Sequence, residues 1–294
     1  MGLRILTYNI LTGGIGPAQQ YRVESILEVI TGADPDLVAI QEAYCFAPHE
    51  RDLLRLFADR LDMTGLLAPG ANSHLHVALL ARRSLNVELI RTVGAPFRHA
   101  CLVARIRPRE NLGLKIVVTH LDPFQESARL REVERLLEEI DAGEPCLVMG
   151  DLNGLSPLDP FEPASVPGLL EQYRRMAPDG SWVVESRALP RLLLGGLIDL
   201  GHGPRRADDP AGAPGSGPSA SAFDTSPTWP TRGGFPSEGP PIRIDYVLAT
   251  PAVGDAVTDY RAIRTALTDR ASDHYPVLVE LDAGRLGHRT DTPT

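Results

Sequence analysis

Cysteine is scarce in this chain. Its 294 residues hold three, Cys45, Cys101 and Cys146, widely spaced and without a C-x-x-C pair. That odd, sparse count argues against a disulfide framework and against a structural zinc site. Cys101 and Cys146 fall in apolar runs and read as buried core thiols. Long hydrophobic runs are missing too. No uninterrupted apolar stretch approaches the roughly 20 residues needed to cross a bilayer, so no membrane span is expected. The opening residues, MGLRILTYNI, lack the basic, apolar and small-residue segments of a signal peptide. Leu6 stands where an N-myristoylation signal wants Ser or Thr. The expectation is a cytoplasmic protein. Excess positive charge is also absent, with 29 Lys and Arg against 38 Asp and Glu for a net charge of -9. Such a surface repels polyanions at long range, which speaks against a strong electrostatic grip on nucleic acid. Phosphate substrates stay open, because a bound divalent cation inverts the local field.

What is present is an ordinary globular composition, 43% hydrophobic and 23% charged, long enough to bury a large core. Short apolar runs at 3–9, 36–42, 77–83, 100–106, 114–120, 146–151, 244–249 and 276–281 read as buried strands. Between them lie helical spacings. Val23, Ile26, Leu27 and Ile30 repeat at i, i+3, i+4 and i+7; Leu53, Leu54, Phe57 and Leu61 do much the same, as do Leu130, Val133, Leu137 and Ile140. The third of these helices carries Arg and Glu on its other face, which reads as solvent-facing. Strands interleaved with single helices predict α/β layers. Residues 203–241 are dominated by Gly, Pro, Ser and Ala and cannot bury enough apolar surface to fold alone. Only two strand-like runs follow, too few for a second domain. The expectation is therefore one domain over 1–282 containing a long loop at 203–241, mobile in its first half, and a disordered polar tail at 283–294. Nothing indicates an obligate protein partner.

Polar residues fall at particular ends of these runs. LRILTYN ends at Asn9, DLVAIQE at Gln41 and Glu42, LKIVVTH at His120, and CLVMGDLN at Asp151 and Asn153. Two later runs carry such residues at their start instead: RIDYVLA at Asp245, and SDHYPVLVEL at Asp273 and His274. If the last two strands run antiparallel to the other four, all these groups meet on one rim of a mixed sheet, as in other α/β folds that place chemistry at strand ends. Any one of them alone reads as a turn residue or a cap. The set is harder to assign to turns, because residue type and strand polarity coincide six times. Hard oxygen donors such as Asn9 and Glu42, without thiolates or paired histidines, suit Mg²⁺, Mn²⁺ or Ca²⁺ rather than zinc. An Asp beside such an ion can orient and deprotonate water. A His paired with a carboxylate can stay protonated beside developing phosphorane charge. This inventory matches phosphate-ester hydrolysis.

TYNI, IQE, THL, GDLN, RIDYV and SDHYPV, in this order and at roughly this spacing, resemble the endonuclease/exonuclease/phosphatase superfamily with its deoxyribonuclease I-like fold. The resemblance spans residues 3 to 281. It implies a four-layer α/β sandwich of two facing mixed β-sheets flanked by helices, and a cofactor of Mg²⁺ or Mn²⁺. It implies that Asn9 and Glu42 hold the metal with Asp273 near it, that Asp151 activates water, and that Asn153 binds phosphate. It pairs Asp245 with His274 to stabilise transition-state charge or act as base. His120 matches the His of the nuclease, sphingomyelinase and deadenylase branches, which contacts phosphate or protonates the leaving oxygen. Arg98 stands where several members place a phosphate-binding Arg, and a solvated strand-edge Arg is the competing reading. Trp229 would stack on a base or sugar, or anchor the loop to the core.

The resemblance also discriminates between branches. No Trp-Cys-Asp-Arg signature precedes the penultimate strand, which argues against the inositol polyphosphate 5-phosphatases. The lack of a signal peptide argues against the secreted sphingomyelinases, and His120 argues against abasic-site repair. The expected function is a phosphodiesterase or nuclease-type hydrolase, its substrate a nucleic acid or a small phosphodiester. The alternatives are a phosphomonoesterase acting on a small metabolite, or a non-catalytic binding module of the same fold. Two weaker features remain. TGGIGP (12–17) lacks the Lys and spacing of a P-loop and reads as a turn. His74 and His76 share a strand face and read as an exposed strand start.

Overall fold

The computed structural model describes residues 2–16, 21–109, 112–159, 163–203, 223–235 and 239–286. In chain order its first strands are β1 (Gly2–Asn9), β2 (Leu37–Gln41), β3 (Met63–Ala68), β4 (Val77–Arg82), β5 (Glu88–Val93), β6 (Cys101–Arg109), β7 (Leu112–His120) and β8 (Cys146–Asp151). After them come β9 (Arg174–Met176), β10 (Trp182–Val184), β11 (Ile198–Asp199), β12 (Asp245–Ala249), β13 (Val257–Ala262) and β14 (Val277–Asp282). The longer helices are α1 (Val23–Ala33), α2 (Leu53–Leu61), α3 (Glu126–Leu137) and α4 (Ala188–Leu194). Two six-stranded mixed sheets result, ordered β13-β14-β1-β2-β4-β3 and β11-β12-β8-β7-β6-β5.

Period-2 alternation sorts each central strand between two cores. Leu3 and Ile5 of β1 meet Leu147 and Met149 of β8 between the sheets. Leu6 and Tyr8 turn outward under α1 and α2, and Val148 turns outward under α3 and α4. Both faces of these strands are covered, so they read as unbroken apolar runs. Each fully buried Leu, Ile or Val contributes about 1.5–3 kcal/mol. The four-layer α/β sandwich is as expected. Cys45, Cys101 and Cys146 are all free and buried. No helix among the described residues is long and apolar enough to cross a membrane.

Strand polarity builds the rim. β1 runs parallel to β2 and β7 to β8, while β14 is antiparallel to β1 and β12 to β8. Register then places His120, Asp151 and Asp245 side by side on three adjacent strands.

Three expectations change. The outer face of α3 is not solvent-facing at its first turns: Glu126, Arg129 and Glu132 are buried, with Arg129 at 0% exposure. They sit beneath loops that helical periodicity does not reveal. The packed chain also extends past Asp282, since Ala283 and Leu286 are buried against the central core; the rest of the expected tail, 287–294, lies outside the described residues. Within 203–241, residues 204–222 and 236–238 lie outside them too. The described part of that loop is pinned, with Trp229 and Ile242 exchanging backbone hydrogen bonds. His74 and His76 do not share a face: His74 is exposed, and buried His76 contacts Glu50 Oε1 at 3.3 Å.

Candidate active site

Five of the rim residues line one cleft of about 310 Å³. Its floor holds Glu42, His120, Asp151, Asn153 and His274. Its walls are largely apolar, with Leu75, Phe124, Leu170, Trp229 and Ile244, and Arg98 stands at one side.

Glycine makes the central strand pair possible. Gly150 has φ 147°, and a Cβ there would lie 1.9 Å from Thr119 O on β7. Gly150→Ala is therefore expected to cost about 3 kcal/mol, lowering Tm by roughly 6–12 °C. Thermal unfolding followed by circular dichroism checks this. An unchanged Tm would mean that β7 and β8 separate freely at this point.

Asp151 ends β8. Its Oδ1 accepts the Asn153 N–H at 3.0 Å and its Oδ2 accepts Asn9 Nδ2–H at 3.0 Å. His120 Nε2 lies 3.5 Å and His274 Nε2 3.8 Å from the same Oδ2. Burial first, and then the charge of Asp245, push the Asp151 carboxyl up to about 8. Asn9 also donates to Glu42 Oε1 at 3.3 Å, so its amide bridges two carboxylates. Glu42 Oε2 accepts the Thr12 N–H at 2.8 Å. The Gly-rich turn after β1 thus holds Glu42 in place, a contact the sequence reading did not assign it. Burial, followed by the charge of Asp273, raises the Glu42 carboxyl above its ordinary range.

His274 Nδ1 lies 2.8 Å from Asp245 Oδ2. Burial works against its charge, yet Asp245 and Asp273 outweigh that and hold the imidazolium well above the usual histidine range. His120 behaves oppositely. Burial, then the neighbouring His99 and His274, push it well below that range. His99 stacks on it, with centroids 4.2 Å apart and planes at 13°, and hydrogen-bonds Ser73 Oγ at 2.8 Å. Burial lowers His99 to about 4.

Seven of the ten candidates line the cleft; Asn9 and Asp245 are hydrogen-bonded to the lining residues Asp151 and His274, and Asp273 acts on Glu42 and His274 through its charge. Arg98 lines the cleft with its guanidinium 4.8 Å from the Phe124 ring centroid. Trp229 lines it as well while packing into a small cluster with Leu155, Tyr173 and Ile244. The sequence reading missed His99, Tyr173 and Arg243. Arg243 sits within RIDYV and makes paired hydrogen bonds to Asp159 (2.9 Å each) and to Asp199 (3.0 and 2.6 Å). That buried ion network fixes the start of β12 against the loop after β8. His99, directly after Arg98 and at the start of an apolar strand, carried a signal of the same kind as His120.

Among the described residues, ligand atoms of Asp151, Asp245 and His274 lie within 4.8 Å of one another. Asp245 Oδ1 is buried there without a partner. An orphaned carboxylate oxygen near the Asp151 and Glu42 carboxyls, both raised by burial and then by neighbouring negative charge, fits a divalent cation, whose charge would offset both effects.

A family model described as the Endonuclease/Exonuclease/phosphatase family matches residues 6–274. The chain belongs to this family. Its members are phosphoester hydrolases that depend on divalent metal. Among solved structures, the family chain is similar to an AP endonuclease from Archaeoglobus fulgidus, at 18% identity and TM-score 0.63 over 96% of this chain and 100% of that one. It is similar to truncated TDP2 from Caenorhabditis elegans at 14% identity and TM-score 0.61, over 96% and 98%. A mannosyl-6-phosphatase from Bacteroides thetaiotaomicron VPI-5482 gives 16% identity and TM-score 0.59, over 95% and 99%. At these identities the likeness is one of fold. No curated protein matches the sequence.

Proposed function

We propose that this family member is a divalent-metal-dependent phosphodiesterase acting on a small ester by in-line attack of water on phosphorus. The observation that carries the reading is the floor of the cleft, where Asp151 Oδ2 stands 3.5 and 3.8 Å from two histidines whose surroundings push their pKa in opposite directions. Asn9, Glu42 and Asp273 supply hard oxygen donors for Mg²⁺ or Mn²⁺. The bound ion supplies positive charge against that developing on the phosphoryl oxygens.

The chain's own groups divide the remaining work. Asp151, made more basic by burial, takes the proton of the attacking water. His274, held protonated by Asp245, donates from Nε2 to an equatorial oxygen and stabilises the pentacoordinate transition state. The Asn153 amide donates to another oxygen. His120, neutral in its stack with His99, serves as a hydrogen-bond donor to phosphate rather than as an acid. Arg98 offers a cation to a second phosphate oxygen or the leaving group. Trp229, Leu75 and Leu170 flank the ester's organic part. A cleft near the lower end of ligand-pocket volumes, on a chain of charge -9, favours a small ester over duplex nucleic acid.

The test is hydrolysis of bis-(p-nitrophenyl) phosphate and p-nitrophenyl phosphate side by side. Turnover of the diester is expected with Mg²⁺ or Mn²⁺, lost with EDTA and restored by either ion. Preference for the monoester would recast the protein as a phosphatase. Silence on both esters with every metal would sink the reading.

A further inference from the structure

Tyr173 is 2% exposed and lies just before β9, in a turn whose Leu170 and Gln172 line the cleft beside it. Its phenol contacts Asn153 Oδ1 at 3.1 Å. Across the same side chain, Asn153 Nδ2 contacts Leu121 O at 3.1 Å. These two contacts leave one orientation for the amide. A backbone carbonyl only accepts, so the NH₂ end must face Leu121 and the oxygen end must face Tyr173, whose O–H then donates. Turning the amide over would set oxygen against oxygen at Leu121 in a buried site. One Nδ2 hydrogen is engaged by Leu121 and the other remains for a ligand.

We propose that Tyr173 is a positioning residue that locks the Asn153 amide as a hydrogen-bond donor to a substrate phosphoryl oxygen. The inference rests on the phosphoesterase reading of the cleft. The lock is anchored in a helix. Arg129 of α3, fully buried, donates to Gln172 O and to Asp122 O at 2.8 Å each and sets its guanidinium 5.7 Å from the Tyr173 ring centroid. Glu126 balances that charge at 2.8 Å. Asn153 itself adopts φ 45°, a left-handed conformation that Asn tolerates better than most residues, and this turns its N–H onto Asp151 Oδ1. One residue therefore aligns both the carboxylate that faces water and the amide that faces phosphate. Tyr173 controls the second function only.

Tyr173→Phe keeps the ring and deletes the oxygen. Kinetics on bis-(p-nitrophenyl) phosphate are compared for wild type, Tyr173→Phe, Asn153→Ala and the double variant. Tyr173→Phe is expected to lower kcat on the order of 10- to 100-fold with KM little changed. It should cause no further loss in the Asn153→Ala background, because the lock acts only through Asn153. Additive losses would overturn the proposal. A second readout needs no turnover: the Asn153 side-chain NH₂ signals in ¹⁵N-edited NMR, assigned by their absence from Asn153→Ala. In Tyr173→Phe these signals should shift and exchange faster with solvent; an unchanged pair refutes the lock. If wild type hydrolyses no ester with any metal, the functional reading falls, and the amide signals still decide the lock.

Discussion

Asp151→Asn will lower kcat by about 10³-fold or more while leaving Tm at or above that of wild type. The kinetic half follows from the base: an amide cannot take a proton from water, and general-base contributions run to about 10²–10⁴-fold. At 1.36 kcal/mol per decade this loss is about 4 kcal/mol of transition-state stabilisation. The stability half follows from two opposing changes. Asn can still accept the Asn153 N–H, but its NH₂ opposes Asn9 Nδ2, which loses the 3.0 Å hydrogen bond. Against that, a buried negative charge beside Asp245 is removed. The pH dependence separates the two. A carboxyl raised from 3.8 to about 8 contributes stability below its unfolded value, and that stability is lost as pH rises through the folded one. In chelator, the Tm of Asp151→Asn should therefore gain on wild type between about pH 4 and pH 8. Retained turnover would remove Asp151 from the base role. A Tm that falls relative to wild type with rising pH would show that its charge is already compensated.

Legibility in the sequence followed burial. The eight strands read from apolar runs are β1, β2, β4, β6, β7, β8, β12 and β14, all flanked by neighbours on both sides and most covered on both faces. The strands that went unread are mainly the edges. β3, β5 and β13 each border a sheet, and β5 exposes four of its six residues, so the apolar signal is diluted by solvent-facing side chains. The rim was legible because a polar residue closing a buried strand is costly unless it meets partners, and six such endings were hard to attribute to turns. What stood behind the rim was not legible. Arg129 and Glu132 look like the wet face of an amphipathic helix, and only tertiary structure brings loop carbonyls and N–H groups onto them: Glu132 accepts the N–H groups of Arg98 and Asp122 at 2.7 Å each. Tyr173 sits in an irregular segment with no period to mark it. Arg243 was in plain view two residues before Asp245, but its partners come from far along the chain, Asp159 from the loop after β8 and Asp199 from β11.

Asp245→Asn is the second large effect, and it acts through charge on a neighbour. His274 is almost fully buried on the cleft floor, where burial alone would lower its pKa; Asp245 at 2.8 Å is the foremost influence that holds its proton. Replacing that carboxylate lowers the His274 pKa. A group that must be protonated for turnover supports activity below its pKa, so the descending, high-pH limb of kcat/KM will move to lower pH, by at least about one unit, since buried ion pairs shift pKa by 1–3 units. At neutral pH kcat/KM will fall by about 10²–10⁴-fold, through lost charge and a freed ring tautomer. Two measurements divide those causes. The pH–rate profile reads the charge, and an NMR titration of the His274 ring in chelator reads its pKa without substrate. If the limb holds its position while kcat/KM collapses, Asp245 orients the imidazole without charging it. The transition-state charge would then rest on Asn153, Arg98 and the cation, and Asn153 would be the next residue to remove.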